Sequence, residues 1–182
     1  MRIAVILPLV MALLVAAAAR ADTAVIELDL DGIYGNGPDH WMPGGGDTVD
    51  VDVILGGDTP MANVSVFRIS LRETGDVACI RCAYRTPDGW RTSLPRNDGA
   101  ILLHGMDPTF QAPLPIPSVI ATLTLRAGDA PAAGSALSIL EGSWFATATG
   151  NRVYPSVEGG TIEIDALSSR EASWGVVKDA FR

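Results

Sequence analysis

Apolar and polar side chains alternate strictly over residues 49–55: Val49, Val51, Val53 and Leu55 on one face, Asp50 and Asp52 on the other. Residues 64–72 repeat the pattern, with Phe67, Ile69 and Leu71 opposed to Arg68, Ser70 and Arg72. A period of two belongs to a strand buried on one side only. Between the two stretches Gly56, Gly57, Asp58, Thr59 and Pro60 form a run of turn residues. Upstream, Ile26, Leu28 and Leu30 alternate with Glu27, Asp29 and Asp31, which predicts a first strand with its carboxylates in solvent. Downstream, residues 119–126 turn Val119, Ala121, Leu123 and Leu125 inward and Thr122, Thr124 and Arg126 outward. Less regular strands are predicted at 76–85, at 100–104, around Leu137 and Ile139, and at 160–165 with Ile162 and Ile164 inward. Gly150 and Asn151 give a two-residue hairpin signal between two further strands. The Gly- and Pro-rich stretch 32–46 reads as a long loop. Prolines at 108, 113, 115 and 117 confine that crossing to the surface or an edge. Half-buried strands must cover one another's apolar faces. Eight to ten of them, with no helix before Ala166, predict an all-β, two-sheet jelly-roll β-sandwich of about nine strands.

The ends read differently. Arg2 precedes an apolar run over 3–19, followed by the small-residue arrangement Ala19-Arg20-Ala21. This is the form of a secretory signal peptide, so residues 1–21 read as a leader and 22–165 as the domain, with no membrane span once the leader is cleaved. Residues 166–182 predict a short amphipathic C-terminal helix. Ser168 and Glu171 form its capping box, and Trp174, Val177 and Phe181 share one face.

Charge narrows the partners. The chain carries 13 Lys and Arg against 21 Asp and Glu, a net −8 that becomes −10 when the leader takes Arg2 and Arg20 with it. Such a surface repels phosphate, which argues against nucleic acid and anionic membrane. Two cysteines, Cys79 and Cys82, stand in a C-x-x-C spacing. One pair cannot make a four-thiolate zinc site. In an exported chain a local disulfide is favoured; it requires a turn or bulge, because strand residues three apart face opposite ways. Buried free thiols, and redox or metal chemistry, are the alternatives.

Catalytic signatures are absent. No G-x-S-x-G elbow and no Gly-rich phosphate loop occurs, and the two histidines, His40 and His104, have no triad context. The sequence argues against an enzyme and against a required cofactor or metal. Asp29 and Asp31, with Asp39 and Asp47, offer oxygens that suit calcium, but not at EF-hand spacing. The candidate binding residues are aromatic: Tyr34 and Trp41 in the long loop, Tyr84 and Trp90 around the next turn. Exposed rings stack on sugars or anchor a protein partner; the plainer alternative is that each caps the core.

The order of these features resembles cohesin domains. Gly46-Asp47-Thr48-Val49-Asp50-Val51 is similar to their "G-D-x-V-x-V" opening. The strand Ile120-Ala121-Thr122-Leu123-Thr124-Leu125, followed by Ala132-Ala133-Gly134-Ser135-Ala136-Leu137, resembles their strand, short loop, small-Gly-Ser, strand passage. Gly159-Gly160-Thr161-Ile162-Glu163-Ile164 resembles their closing strand. The resemblance implies a nine-stranded jelly roll related to carbohydrate-binding modules of families 2 and 3. It implies a secreted, non-catalytic bacterial module, extracellular or on the cell surface, that binds a dockerin-bearing protein and is linked to polysaccharide degradation. The alternative is a carbohydrate-binding module that recognises polysaccharide through exposed aromatics. Cys79, Cys82 and the proline crossing depart from the family pattern, and no dockerin-contact residue is carried over.

Overall fold

A computed structural model describes residues 24–32, 39–57, 64–97, 99–129, 134–157 and 159–165. The leader 1–21, the C-terminal helix 166–182 and Tyr34 lie outside the described residues. Fourteen strands occur in chain order: β1 Ala24–Asp29, β2 Asp39–Trp41, β3 Thr48–Gly57, β4 Val64–Thr74, β5 Val77–Tyr84, β6 Arg91–Ser93, β7 Arg96–Asn97, β8 Ala100–Met106, β9 Ser118–Ala127, β10 Ser135–Ile139, β11 Trp144–Thr147, β12 Arg152–Val153, β13 Ser156–Val157 and β14 Thr161–Ile164. Nine of them are four residues or longer, which is the predicted number. The additional five are two or three residues long, too short to show a period. None of the described residues is helical, and none lies in a helix long and apolar enough to cross a membrane.

The strands form two sheets. One runs β13-β1-β3-β9-β5. The other is built on β4, which pairs with β8 along one edge; β6 and β7 extend β8. On its other edge β4 pairs with β11 along its first half and β10 along its second. β12 extends β11, while β14 and then β2 extend β10. Pairing is antiparallel except between β1 and β13 and between β14 and β2. β3 and β4, the two strongest sequence alternations, therefore sit in opposite sheets.

Alternation sets the core. Ile26, Leu28, Val51, Val53, Leu123 and Leu125 from the first sheet meet Phe67, Ile69, Leu71, Leu103, Leu137 and Ile162 from the second, all of them sealed from solvent. Each contributes about 1.5–3 kcal/mol over its exposed state. Gly75, at φ +68°, makes the β4–β5 turn, and a Cβ there would lie 2.3 Å from Ser135 Oγ. The proline crossing bridges to β4 through Val64 and Leu114, and it buries Leu114 and Ile116.

Two expectations need correction. Glu27 and Asp29 are not solvated: they are 1% and 7% exposed. Asp29 Oδ1 accepts the N–H groups of Asp31 and Gly32, which ends β1 before Leu30. The 32–46 loop is also not wholly irregular, since β2 lies inside it and adds a parallel edge strand beside β14.

Candidate functional site

The aromatic candidates divide on inspection. Tyr84 and Trp90 belong to the core's end. The Trp90 ring stacks on Phe67 at 5.8 Å and 25°, and Tyr84 lies 6.4 Å from Phe67. Trp90 Nε1 donates to Ala112 O at 2.8 Å, and Tyr84 Oη donates to Ser93 O at 2.5 Å. Burial pushes the Tyr84 phenol well above its ordinary value, so it stays a neutral donor. Trp41, on the edge strand β2, is half-buried and packs against the core. These rings do not make a flat platform for a sugar; they finish the hydrophobic interior.

The cysteines are free thiols. The bulge that a local bond would need is present: the β5–β9 register shifts between Cys79 and Arg81, leaving Ile80 exposed. Cys79 then pairs with Leu125 and Cys82 with Leu123, so both sulfurs face the core side. Cys79 N–H donates to the Glu73 carboxylate, and its Sγ donates to Arg81 O at 3.2 Å. Burial raises both thiols, Cys82 to about 11. Neither is a reactive thiolate at neutral pH.

Three of the four proposed oxygen donors converge. Asp29, Asp31 and Asp39 each bring a carboxylate oxygen within 4.8 Å of the others. Much of that oxygen capacity serves the backbone, since Asp39 Oδ2 also accepts Leu30 N–H. Asp47 is elsewhere, closing the turn before β3 by accepting Gly44 N–H at 2.7 Å. His40, on β2, lies 3.3 Å from Asp165 and 3.8 Å from Glu163 on an exposed edge.

The open surface is the outer face of the β4 sheet. Because Phe67, Ile69 and Leu71 point inward, Val66, Arg68, Ser70 and Arg72 point out. Register then aligns residues that the sequence keeps far apart. One row crosses the strands as Trp144, Arg68, His104 and Ser93; the next crosses as Arg152, Ala146, Val66, Met106 and Arg91. Trp144, His104, Val66 and Met106 are half-buried, with the arginines exposed around them. The Arg152 guanidinium lies 4.5 Å over the Trp144 ring, a cation–π contact that holds both on the face. A depression of about 270 Å³ opens beside this row, lined in part by Arg68, Ser70, Pro95, Leu102 and Leu140. An aromatic anchor among apolar and arginine side chains has the composition of the centre of a protein interface. Sequence reasoning placed Arg68 and Arg72 outward but had no means of finding Trp144, His104 and Arg152 beside them.

Comparison with solved structures gives the fold its family likeness. The sixth cohesin of scaffoldin B from Acetivibrio cellulolyticus, solved with a Cel5 dockerin mutant, superposes with a TM-score of 0.63 at 19% identity, covering 79% of this chain and 99% of that one. The chain has the cohesin fold. A cohesin from Clostridium acetobutylicum studied in solution gives 0.63 at 16% identity, over 81% and 93%. A non-cellulosomal cohesin from the archaeon Archaeoglobus fulgidus gives 0.54 at 14%, over 84% and 96%. No protein-family model matches the sequence, and no curated protein matches it. The cohesin-like sandwich spans the described domain from β1 to β14.

Proposed function

We propose that this cohesin-like sandwich is a non-catalytic module that binds a dockerin-type protein through the outer face of the β4 sheet. The cohesin fold, seen in structures that include cohesin–dockerin complexes, carries this reading. The Trp144–Arg68–His104 row, with its half-buried ring and imidazole and its exposed arginine, supports the choice of face. The apolar leader over 3–19 supports export, so we place the module outside the cell, in an assembly linked to polysaccharide breakdown. Nothing in the placement of Trp90 and Tyr84 favours a carbohydrate module.

The test is a binding screen against every dockerin module of the source genome, with scrambled-sequence controls. At least one dockerin is retained. Trp144→Ala then weakens it by about 2 kcal/mol, roughly thirtyfold, as for a central interface aromatic. Retention no better than the scrambled controls defeats the function. An indifferent Trp144→Ala defeats the choice of face.

A further inference from the structure

The part of the β4-sheet face that runs from β12 through β4 to β6 and β7 is opposite in sign to the molecule that carries it. Carboxylates outnumber cations 21 to 13 over the chain. Yet among the described residues, β12, β11, β4, β8, β6 and β7 turn Arg152, Arg68, Arg72 and Arg91 outward and no Asp or Glu; the outward carboxylates of this sheet, Glu163 on β14 and Asp165 after it, stand past β10 at the far edge, beside His40. Glu73, on β4, points the other way, where it accepts Cys79 N–H and pairs with Arg96 at 3.9 Å. No ion pair among the described residues engages any of the four outward arginines. The outer face of the other sheet is unlike this: there Asp50 and Asp52 accept the hydroxyls of Thr124 and Thr122, and Arg85 donates to Thr122.

The arrangement has a length as well as a sign. In the row Arg152, Ala146, Val66, Met106 and Arg91, small and apolar side chains fill the middle and an arginine stands at each end. Neighbouring strands are about 4.8 Å apart, so the two ends are roughly 19 Å apart across the sheet. We propose that this face receives an acidic protein surface, apolar at its centre with carboxylates placed toward both ends. The proposal rests on the protein-binding reading of the same face and adds the partner's charge. Because the arginines are exposed to solvent, their main effect is on encounter: they steer a carboxylate-bearing partner in and repel a basic one.

Two arms test it. In the first, poly-L-glutamate and poly-L-lysine are titrated into the isotope-labelled full chain at about 50 mM NaCl, and amide shifts are mapped. Poly-L-glutamate shifts amides of β4, β8 and β11, poly-L-lysine does not, and about 0.5 M NaCl, where the screening length falls to roughly 4 Å, erases the effect. Shifts centred on β5 and β9, or an equal response to both polymers, overturn the proposal. In the second arm, any dockerin retained in the screen binds Arg68→Glu/Arg152→Glu with an association rate about tenfold lower at 50 mM NaCl, while Arg81→Glu on the other sheet leaves it unchanged. Equal loss in both variants, or an association rate indifferent to salt, also overturns it. If no dockerin is retained, the proposed function fails, and the polymer arm alone decides the charge.

Discussion

Gly105→Ala provides the sharpest test of how the core is closed. Gly105 faces Phe67 across the β4–β8 ladder. A Cβ built on Gly105 would lie 2.4 Å and 2.5 Å from two Phe67 ring carbons, where ordinary carbon contacts are about 3.5–4.0 Å. The ring must give by an ångström or more. It has little room to do so, because Phe67 is fully buried and held against Trp90 and Tyr84. Gly105 has no left-handed φ to protect, so in open space alanine would stabilise the strand by about 0.5–1 kcal/mol. The sign therefore rests on the ring. Overpacking of this kind costs about 1–3 kcal/mol, and we expect Gly105→Ala to lower the urea-unfolding free energy by that amount. In a domain of this size the same loss lowers Tm by roughly 2–4 °C per kcal/mol. Phe67→Leu vacates the space, so in that background Gly105→Ala should cost less than about 0.5 kcal/mol, a coupling of about 0.5 kcal/mol or more. Wild-type stability for Gly105→Ala, or the same cost in both backgrounds, refutes the argument.

Other outcomes follow from the same structure. With Cys82 at about 11 and Cys79 also raised, iodoacetamide at pH 8 should label the folded chain at least about a hundredfold more slowly than the urea-unfolded chain, with two free thiols by mass spectrometry. A purified chain already lighter by two hydrogen atoms would contradict the free thiols. Burial alone would raise the Asp107 carboxyl, but hydrogen bonds from Ala112 and Thr109 outweigh it and leave it below its ordinary value of 3.8. A depressed carboxyl stabilises above its unfolded pKa and loses that contribution as the pH falls through its folded one. The Tm difference between wild type and Asp107→Asn should thus be full at pH 6 and shrink below about pH 4; a constant difference would remove the carboxylate from the account. Trp90→Phe leaves Ala112 O without its 2.8 Å donor and should cost about 1–3 kcal/mol in urea unfolding. Affinity gels with cellulose, xylan and chitin should show no retardation of the wild type, and retardation abolished by Trp90→Phe would restore the carbohydrate reading.

The long strands were legible because one-sided burial writes itself as a period of two. Val51, Val53 and Leu55, or Phe67, Ile69 and Leu71, leave no other assignment; Gly150 and Asn151 marked the hairpin between β11 and β12, but its loop spans residues 148–151 and not the two residues expected, because β11 ends at Thr147. The short strands were not legible, because two or three residues contain no period: Arg96 and Asn97 look like turn residues and become β7 only because β8 offers them a free edge. Glu27 was misplaced for a related reason. Alternation reports which face meets the central core, but not whether the opposite face is also covered.

The candidate face was hidden by a different gap. Trp144, Arg68 and His104 are separated by tens of residues, and each alone is unremarkable in sequence: a tryptophan after a turn, an arginine on a polar face, one of two histidines. What makes them a surface is register, since Trp144 and His104 both stand opposite Arg68 on its two neighbouring strands. Slipping either pairing by one residue would send Trp144 or His104 into the core and bring Phe145 or Leu103 out. The core positions therefore specify the binding face indirectly. Phe145 against Phe67, and Leu103 against Ile69, lock the two registers that place an aromatic ring and an imidazole on either side of one guanidinium. A polar substitution at Phe145 should for that reason disturb the outer face before any residue on it is changed.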